Sequence, residues 1–101
     1  MKVYLVRERK NINAVGEYDM ETKALTVKKG SRVSEGIAYT EKFRGAKTIE
    51  KDRAGTVKDH IVTKDISFKS ASTAANFVTG GSTNGLMAWK ADNGLTIKEV
   101  I

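Results

Sequence analysis

Three arrangements in this sequence have residue types that could do chemistry. The first is Asp59-His60, the single histidine beside a carboxylate. A carboxylate that fixes an imidazole tautomer is the heart of many acid–base sites. Adjacent residues on a strand point to opposite faces, however, so this pair reads as a surface histidine. The second is the loop Gly80-Gly81-Ser82-Thr83-Asn84-Gly85. Its outer glycines have the spacing of a phosphate-binding loop, but the Lys and Ser/Thr that should follow are Leu86 and Met87. The loop is also expected to follow a helix and precede a strand, which reverses the order that aims a helix N-terminus at phosphates. It reads as a helix stop, and nucleotide hydrolysis is set aside. The third is the helix opening at Ser70, with hydroxyls at Ser70, Ser72 and Thr73 beside Lys69. Free backbone N–H groups and hydroxyls suit a phosphate oxygen. Plain capping is the first reading there, since every helix needs it, and a phosphate contact is the second.

Other chemistries fail on inventory. With one histidine and no cysteine, a zinc site would need carboxylates alone, and no thiolate or disulfide is available. No cofactor or metal is expected. No acid, base and nucleophile set can be assembled, so the chain reads as non-enzymatic. Trp89, the one tryptophan, reads as core rather than as an exposed stacking platform.

These groups depend on elements that the pattern predicts. Val3 and Leu5, then Ile12, Ala14, Gly16 and Tyr18, then Leu25 and Val27 alternate as an antiparallel meander. Arg32 to Ala38 is expected to add a short strand. A helix is predicted from an N-cap at Thr40 to Ala54, with Phe43, Ala46 and Ile49 buried, Gly45 inside it and Gly55 as its stop. Val57–Phe68 carries weak strand signals. A second helix is predicted from Ser70 to Gly80, with Ala74, Ala75, Phe77 and Val78 inward. Leu86–Lys90 and Leu95–Ile97 are expected to be strands joined by a turn at Asp92-Asn93-Gly94. The expected fold is a single α+β domain over 1–101, a mainly antiparallel twisted sheet with two helices packed on one face.

Charge narrows the partner. The chain has 101 residues, 18 Lys/Arg against 12 Asp/Glu, and a net charge of +6. The excess sits in the first two thirds: residues 1–34 carry eight cations against four anions, as do 42–69, while 70–101 balance. A basic balance favours a polyanion such as nucleic acid, or serves only solubility. No apolar run approaches the roughly 20 residues that span a bilayer, and the apolar stretch after Met1 is too short for a signal peptide. No membrane partner is expected, and the location reads as cytoplasmic.

Phe68-Lys69-Ser70-Ala71-Ser72-Thr73-Ala74-Ala75, then Gly80, Asn84-Gly85, Trp89-Lys90, Gly94 and Thr96 together resemble a known signature. It is that of the domain of unknown function appended to GIY-YIG endonucleases and restriction–modification proteins. It is also similar to the restriction enzyme adenine methylase associated module. Ala14–Tyr18 and Leu25–Ser31 look like that family's opening strands. Ala71 stands where the family has proline, and Thr26 and Lys28 where it has apolar residues.

The resemblance implies an accessory module of DNA-processing systems, working beside a separate nuclease or methylase chain and having no catalytic residues of its own. The expected nucleic-acid footprint combines Arg44, Lys47, Lys51, Lys69, Ser70 and Ser72. The alternative is a protein-interaction or assembly module, a homodimer being one form of it, without nucleic-acid binding and using a strand edge or an exposed Trp89. Oligomeric state is left open by the sequence.

Overall fold

Alternation in the first 27 residues becomes three strands. β1 (Lys2–Arg7), β2 (Ile12–Tyr18) and β3 (Leu25–Val27) form the meander, followed by α1 (Ala46–Arg53), β4 (Val57–Lys58), β5 (Ile61–Val62) and β6 (Ile66–Phe68). The chain continues with α2 (Ala71–Thr79), α3 (Gly85–Ala88) and α4 (Ile97–Val100). This is a computed structural model that describes residues 1–39 and 45–101. The expected Thr40 cap, with Glu41, Phe43 and Arg44, lies outside the described residues.

The fold is α+β. The main sheet has the order β1-β2-β3-β6 with every pair antiparallel, and β4 and β5 form a small hairpin. Register places Leu5 opposite Ala14, Gly16 opposite Val27, and Leu25 opposite Phe68. One face of the sheet therefore presents Val3, Leu5, Ile12, Ala14, Tyr18, Leu25 and Val27, all buried. α2 lies over that face against β2, β3 and β6, and α1 packs on α2.

α2 forms as its sequence implies. Ser70 is its N-cap, accepting the Thr73 N–H at 3.1 Å, and Gly80 ends it in the left-handed region at φ 77°. Ala71, Ala74, Ala75, Phe77 and Val78 are all buried, because the helix meets the sheet on one side and α1 and α3 on others. Phe77 and Phe68 rings pack with centroids 4.9 Å apart. Burial of this order, about 1.5–3 kcal/mol for each large side chain, holds a nine-residue helix that would be marginal alone.

The C-terminal third departs from the expected strands. Gly85–Ala88 is a short helix because Asn84 caps it, accepting the Leu86 N–H at 3.1 Å. Ile97–Val100 is a helical turn because Thr96 and Glu99 form a reciprocal capping box. Of the two expected strands only Lys90 and Thr96 keep strand character, paired antiparallel with each other as expected, and Lys90 also bridges Tyr4. The turn between holds as expected, with Gly94 at φ 84°. Arg32 makes isolated bridges to Asn13 and Ile61 rather than a strand. Gly45, expected inside α1, stands at its N-cap. Asp59 and His60 are not on a strand: both have positive φ (53° and 65°) and make the two-residue turn between β4 and β5.

Three carboxyls tie down connections. Asp19 is held below the usual carboxyl range by the Thr22 and Glu21 N–H groups. Asp65 is lowered by the Lys28 ammonium and the Lys29 N–H, and Glu99 by the N–H and hydroxyl of Thr96. A folded pKa below the unfolded one gives stability that is full above the unfolded value and lost as pH falls through the folded one. Urea unfolding should therefore show a lower midpoint below about pH 4 than near neutrality. Asp65→Asn should flatten part of that fall, and an unchanged acid profile would contradict its cause.

Candidate functional site

The expected footprint divides between the two helices. Lys47 and Lys51 are exposed on α1, Lys69 is exposed just before α2, and Ser70 and Ser72 are half-buried at its opening. Arg44 lies outside the described residues. Both serine oxygens already accept bonds within the chain. Ser70 Oγ caps Thr73, and Ser72 Oγ accepts the Gly85 N–H at 2.9 Å. The hollow beside them, about 200 Å3, is lined by Tyr18, Lys23, Ala71, Leu86 and Ile101, and neither Lys47 nor Lys51 lines it.

A larger cleft, about 530 Å3, opens at the opposite end of α2. One wall is the turn at Glu8–Lys10, which follows β1 and contributes Arg7, Arg9, Lys10 and Asn11. Asn11 closes that turn at φ 55°, its N–H donating to Glu8 O at 3.0 Å. The other wall is Thr79–Thr83, where Thr83 N–H donates to Asn76 Oδ1 at 2.8 Å. Ser34 to Ala38 forms the floor. That segment lies hard against the end of α2. Ser34 N–H donates to Val78 O and Ala38 N–H to Gly80 O. A β-carbon on Gly80 would stand 2.2 Å from Gly36 O, so only glycine fits.

Arg53 anchors the arrangement from behind. Its guanidinium donates to Phe77 O at 2.7 Å, Ser34 O at 3.1 Å and Ser34 Oγ at 3.0 Å. It also lies 5.8 Å from the Phe77 ring centre. Its described partners are carbonyls and a hydroxyl, and burial pulls its pKa below the ordinary arginine value. A cation at the last carbonyls of a helix complements the helix dipole.

Among the described residues there is no group of three or more His, Cys, Asp or Glu that could hold a metal, and no helix long and apolar enough to cross a membrane. His60 is exposed on its turn.

Residues 5–101 match the family model described as a domain of unknown function, DUF4357. The chain belongs to that family. No curated protein and no solved structure matches it. In this DUF4357 domain the residues that carried the resemblance do structural work around the start of α2. Trp89 is fully buried and its Nε1–H donates to Ala71 O at 3.1 Å. Gly85 packs on the backbone of Ala71 and Ser72, where any β-carbon would fall within 2.3 Å. Gly16 lets the Trp89 ring lie over β2. The signature therefore holds α3 to α2. The cations of the cleft lie outside it, on a turn that the sequence marked only as polar.

Proposed function

We propose that this DUF4357 chain is a non-catalytic accessory module of DNA-processing systems that binds nucleic acid through its phosphates, beside a separate nuclease or methylase chain. One observation supports the reading above others: the positive charge is not spent inside the fold. With a net charge of +6, Lys28 is the one Lys or Arg side chain in an ion pair among the described residues. The rest of the exposed cations are available to a polyanion, whose binding releases condensed counterions. The resemblance to modules of restriction–modification systems points the same way. Lys47, Lys51 and Lys69, with Arg44, Ser70 and Ser72, are the face the sequence nominates.

Contacts of this kind position a protein on a duplex without reading its sequence. Unlabelled duplexes of unrelated sequence should compete with a labelled one within about threefold of each other. Competition confined to one sequence would contradict backbone-dominated binding.

A protein-interaction module is the second reading. Among the described residues the outer edge of β6 has no partner strand in the sheet order, which leaves it open to pairing with another chain. Its other form, an exposed Trp89 patch, is overturned by the complete burial of that side chain. Self-association through β6 would appear as a dimer in light scattering, lost on Ser67→Pro.

A further inference from the structure

We infer that the cleft between the Arg7–Asn11 turn and the Thr79–Thr83 loop is the site that holds a nucleic-acid phosphate; this rests on the nucleic-acid reading above and gives it a place. Three cations, Arg7, Arg9 and Lys10, line one cleft, and Glu35 is the only carboxylate among its described lining residues. None of the three is in an ion pair with a described residue. Like charges gathered round one concavity repel each other and attract an anion from solution, since a low-dielectric wall focuses the field.

The ordinary explanation for cations at this place is the α2 C-terminus, whose carbonyls carry about half a negative charge. Arg53 already meets that half charge by direct hydrogen bonds. Three further cations are in excess of it. Arg53 itself adds a positive charge behind the floor, bonded to Ser34.

The remaining lining fits a phosphodiester. Ser82 and Asn11 are exposed polar groups on the two lips. The Gly36 and Ser82 N–H groups have no acceptor among the described residues, so they are free to donate to an oxyanion. The volume, about 530 Å3, lies within the range that takes a nucleotide-sized ligand. Among the described residues no aromatic side chain lines the cleft, so the described lining offers unpaired bases no stacking platform. The described lining therefore suits the backbone of a duplex better than a stacked single strand. This is not a nucleotide-hydrolysing loop, because Leu86 and Met87 still stand where Lys and Ser/Thr are required. The four-residue α3 that follows the loop leaves that conclusion intact.

The test compares four proteins on one labelled duplex over a series of salt concentrations: wild type, R7A/R9A/K10A, K47A/K51A/K69A and E35Q. Amide shifts of Gly80–Thr83 are followed in parallel during titration with inorganic pyrophosphate. The cleft variant should lose at least about tenfold in affinity, and its log–log salt slope should become shallower by about 0.9 for each phosphate the cleft neutralises. E35Q should bind about twofold more tightly, a gain that damage to the fold does not produce. If wild type binds and the cleft variant binds equally well, the cleft is overturned while the nucleic-acid reading stands. Loss confined to K47A/K51A/K69A would have the same meaning. If wild type binds no duplex, the nucleic-acid reading fails. Saturable pyrophosphate shifts at Gly80–Thr83 would then keep the cleft as a phosphate site, and their absence would overturn it too.

Discussion

Replacing Gly85 by alanine is expected to lower the stability of the domain by about 3 kcal/mol or more, although only one methyl group is added. The added carbon would lie 2.1 Å from Ala71 C and 2.2 Å from Ala71 O. Both are backbone atoms inside the first turn of α2, so no rotamer change relieves the clash. α3 must lift away instead. That movement breaks the Gly85 N–H bond to Ser72 Oγ and draws Trp89 Nε1–H from Ala71 O. An unsatisfied buried polar group costs about 1–3 kcal/mol, and overpacking adds a similar amount. For a chain of this length, 3 kcal/mol corresponds to a melting temperature lower by roughly 12–24 °C. Gly36→Ala is the matched control. A β-carbon there meets nothing within 4 Å, so its melting temperature should stay close to wild type. Equal melting temperatures for G85A and G36A would refute this account of the α2–α3 contact.

Arg53→Met should destabilise by about 2 kcal/mol, with the loss concentrated at one end of α2. Methionine keeps much of the apolar stem but removes every donor from Phe77 O, Val78 O and Ser34. Hydrogen bonds from a charged donor are worth about 1.5–3 kcal/mol each in net terms. The group is only half-buried, so water takes over part of the lost bonding and the sum is well below additive. Arg53→Lys should recover less than half of the loss, because a single ammonium cannot span carbonyls from two segments as the planar fork does. Amide exchange of Gly80 and Ala38 should accelerate more than that of Thr73 or Ala74. Uniform acceleration along α2 would show that Arg53 does not pin this end. Because the same contacts form the floor of the cleft, R53M should also weaken duplex binding.

The sheet and α2 were legible because local and global signals agree there. Val3, Leu5 and Ile12–Tyr18 alternate without interruption, and Ser70 and Gly80 bracket an apolar run with standard caps. The last third departs from its expected strands for a specific reason. Leu86–Trp89 is apolar enough for a strand, but Asn84 and Gly85 place it in a turn of helix packed on α2. Thr96-Ile97-Lys98-Glu99 carries a capping-box pattern that was available in the sequence and outweighs the alternation of Leu95 and Ile97. The Asp59-His60 turn is hard to read from the sequence because it lacks the glycine that usually fills the second of two consecutive positive-φ positions, although Asp and His tolerate positive φ better than most residues.

The site was less legible than the fold. Arg7, Arg9 and Lys10 face one cleft only because a tight turn reverses the chain after β1. The loop they oppose lies some seventy positions further along the sequence. No local pattern announces such a meeting. The helix opening at Ser70, by contrast, did carry a local phosphate-like pattern, and its hydroxyl oxygens proved to be engaged in capping and in holding α3.

The measurement that bears most directly on the central claim is the affinity of the wild-type chain for a short duplex as a function of salt. Phosphate-dominated binding predicts a straight fall of log affinity against log salt, with a slope of about −0.9 for each phosphate neutralised. A slope of about −3 or steeper is the expected result. Binding that is absent at low salt, or that stays flat as salt rises, would contradict the claim and leave the positive charge to solubility alone.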